Sequence, residues 1–436
     1  MSIKQKKIGF KIILISSLFI PLFEVFIIIG FNSNQLIKKW IMVLLIVILF
    51  LLIVGLIIGL KLFYDNYASN KRKIKKWLKN LLIIFMVIYI LGCTSFVVLL
   101  YGPYKGFKEW LITTAMKTMN HQYLCKWFYS EDDINEVMNE NYIIESDEST
   151  NVNLIKKHKF KYKKDSYKNE YEEAILDVED DIKYKIIELE VNGCNGYLAV
   201  VYDPSLVKLA VTKGIGYSGQ YVTTMTYENN GIIGINGGGF YDPNYNSAGG
   251  TPLGITISDG KIITNGEYGT NNQGGGIIGF TNNDEFVLLK NTTANEAIEM
   301  GVRDAVSWGP FLIVNGEKSF IKGNGGWGYA ARTAIGQRAD GIVLLLVIDS
   351  NATRTKGADM VDLTEIMYNY GAINAANLDG GTSSVMVMPK DIAKSKYNAK
   401  CNDIKDDYFC AINDPIDGGL SHRTRAIADA WIVLDK

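Results

Sequence analysis

Hydrophobic positions follow two different rhythms along this chain. Before residue 101 they come in continuous blocks, at 12–31, 41–60 and 81–101, each about 20 residues long. A helix of about 20 residues spans about 30 Å of hydrocarbon, so the blocks predict three transmembrane α-helices. Pro21 and Glu24 interrupt the first block. No small-x-small cleavage site follows it, and two further blocks come directly after, so it reads as a span and not as a removable leader. Over 105–130, Trp110, Leu111, Ala115, Met119 and Tyr123 recur at helical spacing, giving one apolar face. Ser130-Glu131-Asp132-Asp133 then has the form of a helix start, with acidic residues at the positive end of the dipole. The stretch 145–181 is charged and poor in apolar residues, which predicts a linker or arm.

From residue 182 the rhythm shortens. Apolar, β-branched runs alternate with Gly-rich turns at 191–203, 254–258, 276–281, 285–289, 311–314, 342–348, 384–388 and 426–434. One helix stands out. Asp359 caps it, Met360, Leu363, Ile366, Met367 and Tyr370 form its stripe, and Gly371 ends it. The expected architecture is an α+β, mostly β-sheet domain over 182–436 with few helices. Residues 1–101 precede it as a three-helix membrane anchor, and 102–181 as juxtamembrane helices and linker.

Charge sharpens this division. The chain has 45 Lys/Arg and 46 Asp/Glu, yet 13 of the basic residues and only Glu24 and Asp65 of the acidic ones lie before residue 102. The N-terminal part is thus +11 and the remainder −12. An acidic domain excludes a nucleic-acid partner, which needs clustered cations. Basic residues flank the blocks at Lys4–Lys11 and Lys71–Lys79, whereas the loop between the first two carries only Lys38 and Lys39. Positive residues favour the cytoplasmic side. The expectation is therefore a multi-pass cell-membrane protein, held in the lipid bilayer by three helices, with a cytoplasmic N-terminus and an extracellular C-terminal domain. Cys401 and Cys410 are close enough to close a short loop. No CxxC or His-rich spacing marks a metal site, and no cofactor is evident.

Chemistry concentrates in a few short segments. In Asn236-Gly237-Gly238-Gly239-Phe240 the glycines permit close backbone approach and inward N–H groups, as in an anion nest or in an ordinary tight turn. Arg332, in Ala331–Gly336, follows the Gly-rich loop 323–328. It is placed to fork onto a phosphate or carboxylate, or to form a surface ion pair. The segment 376–385 is the most informative. An apolar approach ends in Asp379, Gly380 and Gly381 make the turn, and Ser383 and Ser384 follow. A carboxylate on a rigid strand end beside N–H and hydroxyl groups suits work next to a bound phosphate or sugar. Asp349 closes the apolar run 342–348, and His422, Arg423 and Arg425 precede the last strand.

Together, in order and kind, Asn236–Phe240, Arg332–Gly336, Asn377–Ser384 and Arg423–Arg425 resemble the phosphodiester glycosidase family, as does Trp308–Gly316. The glycine segment carries one more glycine than the family's commoner Asn-Gly-Gly-Phe-Phe. The resemblance implies hydrolysis of a sugar-1-phosphodiester to a free sugar and a phosphomonoester. Asp379 would be nucleophile or base and Asp349 a second carboxylate. Asn236, Gly237, Gly238, Gly239, Arg332, Gly380, Gly381, Arg423 and Arg425 would hold the phosphate, and Ser383 or Ser384 would orient it. The implied substrate is a phosphodiester-linked sugar of a cell-envelope polymer or exopolysaccharide. The competing reading is a non-catalytic polysaccharide-binding or assembly module. Convergence of Asp379 and Asp349 on Arg332 in one cleft separates the two.

Overall fold

The computed structural model describes residues 11–12, 15–16, 19–23, 25, 27, 47–48, 50–55, 57–58, 76–118, 121–156, 166–179, 181–242, 248–267, 269, 274–351, 355–401, 408–417, 420–421 and 423–435. They fall into two units: Met1–Met116 with His121–Asn139, and Lys117–Asn120 with Glu140–Lys436.

The first unit is helical. Its described helices include Lys76–Tyr101, Lys105–Met116, Tyr123–Lys126 and Glu131–Glu140. Leu100, Ile112, Ala115, Cys125, Tyr129 and Ile134 pack as a small core. The predicted start at Ser130 is present, with Asp133 N–H donating to the Ser130 hydroxyl at 3.2 Å. Among the described residues no helix is long and apolar enough to cross a membrane. This overturns the expectation of three transmembrane helices, and with it the multi-pass membrane localisation and the bilayer as a partner. Hydropathy along a sequence measures composition, whereas crossing hydrocarbon requires an unbroken helix that is apolar throughout. The helix over the third block, Lys76–Tyr101, carries Lys76 and Lys79 in its first turn, and its Leu100 belongs to the small core.

The second unit is the expected sheet-rich domain. Seven antiparallel strands form one sheet in the order Glu317–Lys318, Phe311–Val314, Ala372–Asn377, Arg332–Arg338, Val343–Ile348, Cys194–Val201 and Tyr184–Val191. A five-stranded sheet runs Phe409–Ala411, Met386–Pro389, Gly231–Asn236, Asp429–Leu434 and Val207–Val211. A second five-stranded sheet runs Lys261–Asn265, Ile255–Ser258, Val302–Trp308, Gly276–Thr281 and Phe286–Leu289.

The strand Val343–Ile348 shows why these residues fold this way. It is apolar at every position because both faces are covered. Val343, Leu345 and Val347 share a core with Ile233, Ile235 and Trp431. Leu344, Leu346 and Ile348 pack on the other side with Met360, Leu363 and Met367 of the helix Met360–Asn369, and with Ile175 and Leu176. Each such side chain contributes about 1.5–3 kcal/mol on burial, so Leu346→Ala would cost about 2–5 kcal/mol. Asp359 caps that helix as anticipated, accepting from Asp362 N–H.

Sequence and structure differ in detail elsewhere. Ile175 and Leu176 belong to the helix Glu170–Leu176, so part of the charged stretch 145–181 packs into the sheet unit. Asn192 and Gly193 make the hairpin turn with φ of 51° and 73°, while Asn195 and Gly196 lie within the following strand. The helices Val222–Glu228, Ala294–Glu299 and Lys390–Tyr397 are too short to announce themselves by periodicity. Cys401 and Cys410 are joined as a disulfide.

Candidate active site

Several strands of the seven-stranded sheet and of the Gly231–Asn236 sheet end at one place. Pairing sets this: Asn236 lies opposite Ala430, Ala334 opposite Asn377, and Arg332 opposite Ile348. The segments recognised in the sequence therefore meet, although they are far apart along the chain.

Asn236 is the knot of this junction. It is fully buried. Its side-chain N–H donates to the Asp379 carbonyl at 2.6 Å, and its oxygen accepts from the Thr333 hydroxyl at 2.7 Å and Val385 N–H at 3.2 Å. Its amide thus ties three chain segments together and fixes the backbone of Asp379. The glycines continue the same job. Gly237 N–H donates to the Asp429 carbonyl at 3.1 Å, and Gly238 N–H donates to the Asp429 carboxyl at 2.7 Å. Asp379 N–H donates to the Gly237 carbonyl at 3.1 Å. A side chain at Gly237 would run into the Asp429 carboxyl, so this close approach requires glycine. Gly239 lies against the Trp308 ring.

Asp379 follows this anchored turn. It sits deep in the fold yet keeps part of its surface open. Gly380 N–H donates to its carboxylate at 3.0 Å, and the Ser383 hydroxyl also bonds it. Burial pushes its pKa up to about 6, helped by the negative charge of Asp242. Ser383, the Arg425 guanidinium and Gly380 N–H pull the other way. Gly381 completes the turn with φ of 63°, a backbone that favours glycine, and its N–H donates to the Ala331 carbonyl at 2.8 Å.

Two arginines flank the turn differently. Arg332 is buried, its guanidinium held by the carbonyls of Ala358 at 3.1 Å, Trp327 at 2.8 Å and Gly328 at 2.8 Å. Its Nη1 faces Gly380, where a Cβ would lie 3.6 Å away. Arg425 donates to Asp242 at 2.6 Å and to the Thr382 hydroxyl at 3.1 Å, and its guanidinium lies 4.7 Å from the Phe240 ring centroid. Arg423 diverges: its side chain is 56% exposed, against 17% for Arg425, and its ion pair with Asp417 is long, at 4.0 Å. His422 lies outside the described residues.

Asp349 also stands at a strand end, but its oxygens are taken. Asn413 Nδ2 donates to it at 2.9 Å, and Asp414 N–H donates to both oxygens at 3.0 Å. Burial pushes its pKa up to about 6 against these hydrogen bonds. Asn413 also donates to the Ser384 carbonyl at 3.2 Å, so Asp349 reaches the Asp379 loop through a loop amide. The Ser384 hydroxyl is fully buried and shares a hydrogen bond with the Thr333 hydroxyl at 3.1 Å, in which Ser384 is the donor because Thr333 gives its proton to Asn236.

Asp379, Gly380, Gly381, Ser383, Arg332 and Arg425 thus gather around one turn, on a floor built by Asn236, Gly237 and Gly238. Asp242 and Asp429 belong to the same group and were passed over in the sequence. Asp429 opens an apolar strand, and a lone carboxylate in such a run was the available signal. Among the described residues no group of three or more His, Cys, Asp or Glu side chains is arranged to hold a metal ion.

Comparison with known proteins agrees with the motifs. Residues 229–434 match the family described as phosphodiester glycosidase. The SPbeta prophage-derived uncharacterized protein YomE of Bacillus subtilis is 24% identical over 179 residues, covering 38% of this chain. The matched region spans only 25% of that relative's length. Among solved structures, the catalytic domain of zebrafish N-acetylglucosamine-1-phosphodiester alpha-N-acetylglucosaminidase is 20% identical with a TM-score of 0.44. That match covers 59% of this chain and 85% of that one. A solved protein of Burkholderia pseudomallei is 17% identical with a TM-score of 0.39, covering 55% of this chain and 74% of the other.

Proposed function

With residues 229–434 belonging to the phosphodiester glycosidase family, we propose that this chain hydrolyses a sugar-1-phosphodiester at the turn carrying Asp379. Water supplies the elements that complete the products: its oxygen ends on the anomeric carbon, the bond from that carbon to the phosphate oxygen breaks, and a phosphomonoester leaves. Phosphate is a good leaving group, so the site needs little acid assistance. It does need a carboxylate near the anomeric carbon and cationic or N–H groups near the phosphate.

The observation that carries this reading is the setting of Asp379. It is a rigidly held, partly open carboxylate with a hydroxyl, a backbone N–H and a guanidinium beside it. In its ionised form Asp379 attacks the anomeric carbon or takes the proton of the attacking water. Arg425 and the face of Arg332 toward Gly380 hold the phosphate, with Ser383 orienting the carboxylate. Asn236, Gly237, Gly238, Gly381 and Ser384 shape the turn. Asp349 anchors the Asn413–Asp414 loop, and Arg423 stays at the surface. Of the two carboxylates expected to converge on Arg332, only the Asp379 turn lies beside it, while Asp349 is bound to the Asn413–Asp414 loop, so the case for an enzyme over a binding module rests on Asp379 and Arg332. The natural substrate in this reading is a phosphodiester-linked sugar of an envelope polymer or exopolysaccharide.

The test is sugar release by the full chain from UDP-N-acetylglucosamine and from the methyl phosphodiester of N-acetylglucosamine 1-phosphate. Release that disappears in Asp379→Asn supports the proposal. Binding of either compound without release, by protein shown to be folded, would favour the binding module.

A further inference from the structure

Asp429 has a position that the reading above leaves unexplained. It is 1% exposed, at the first residue of the last strand. One carboxyl oxygen accepts from Gly238 N–H at 2.7 Å. The other, Oδ2, is buried and has no hydrogen-bond partner among the described residues. An ionised carboxylate in that state leaves charge uncompensated in a low-dielectric interior, which is costly. A carboxylic acid carrying its proton is far cheaper there. The peptide that binds Asp429 also binds Asp379: Gly237 accepts from Asp379 N–H, and Gly237 and Gly238 N–H both donate to Asp429. Gly237 and Gly238 thus hold the backbone of Asp379 and the carboxyl of Asp429 in one two-residue support.

We propose that Asp429 is a positioning residue of this site, which as a neutral acid holds the Gly237–Gly238 support in register and leaves Asp379 as the one buried carboxylate that ionises. This rests on the assignment of Asp379 made above. Like charges at one buried location cannot both be carried cheaply, so the pair loses its protons in two separated steps. Burial pushes Asp429 up to about 7, with the charge of Asp379 adding to the effect and Gly238 N–H opposing it. Asp379 itself lies at about 6. The other charged groups around the pair are Arg425, which offsets the charge of Asp379, Asp242, which is paired with Arg425, and Arg332 across Gly380. Between the two steps the site holds one charge, on Asp379. Above the second step a doubly charged pair repels an anionic phosphodiester and pushes on the glycine support.

The discriminating variant is Asp429→Asn, which keeps an acceptor for Gly238 N–H and cannot ionise. In the full chain, kcat/KM should rise through about pH 6 and fall above about pH 7 in the wild type. The variant should keep the acid limb and lose the alkaline one. An unchanged alkaline limb in Asp429→Asn overturns the proposal. A second reading needs no activity. A carboxyl whose pKa is raised on folding gives stability that is present at low pH and lost as pH rises through the folded value. The wild-type unfolding temperature should therefore drop between about pH 4 and about pH 7, by several degrees more than that of Asp429→Asn. Parallel curves would equally overturn the role. Should no substrate be cleaved by the wild type, the assignment of the reaction fails while the unfolding curves still decide the state of Asp429.

Discussion

Asp379 and Asp349 invite comparison. Each follows a strand of the same seven-stranded sheet, each is crowded by the fold, and burial pushes each up to about 6. Their oxygens have different company. Those of Asp349 are bound by Asn413 and by the N–H of Asp414, groups that stitch a neighbouring loop to the strand end. The oxygens of Asp379 meet its own turn, the Ser383 hydroxyl and a nearby guanidinium, and the residue keeps an opening. A raised proton affinity is thus common to both, and it does not distinguish a reacting carboxylate from a structural one. What distinguishes them is whether the hydrogen-bond capacity is consumed by the protein backbone.

Exchanging the two residues' chemistry is the sharpest way to break the comparison. Asp379→Asn should lower sugar release about 10³-fold with little effect on unfolding. Asp349→Asn should do the reverse, costing about 1–3 kcal/mol of stability with only a few-fold change in kcat. Equal losses of activity in both would show that Asp349 also meets substrate. The arginines offer a second contrast. Arg425→Ala should reduce kcat/KM about 10- to 100-fold, mainly through KM, since it removes a partly buried cation beside the carboxylate. Arg423→Ala, two residues away and exposed, should stay within about twofold. Acidity provides a gentler probe. The proposed role of Asp379 requires its ionised form, and on that proposal activity should decline about tenfold for each pH unit below about 6. A profile flat to about pH 4 would mean that Asp379 does not act as nucleophile or base.

The two arginines and the two glycine-rich turns also show how much of the site could be read in advance. Asp379, Arg332, Ser383 and Arg425 were named from local patterns, because a carboxylate before Gly-Gly or an arginine among small residues is unusual enough to notice. The use of Asn236 was not legible, since its amide serves Thr333, Val385 and Asp379 at once, about a hundred residues or more away along the chain. Asp429 and Asp242 were missed for the same reason. Nothing within a few residues of either says that Gly238 or Arg425 will be its partner.

The expectation of transmembrane helices failed in the opposite direction. There a strong local signal, apolar composition, stood in for a property that belongs to a continuous folded element, and no described helix has that property.

By itself the sequence determined the periodicities: apolar runs that become strands, the capped helix Met360–Asn369, and the short motifs that mark the family. These depend on neighbours within a few residues, whose geometry the backbone sets directly. Tertiary structure alone decided which polar groups are consumed by the scaffold and which remain to meet a substrate. Strand order brings together Asn236, Thr333, Asp379 and Asp429 from four separate segments. The burial that results, and not residue type, sets their hydrogen bonds and their affinity for protons.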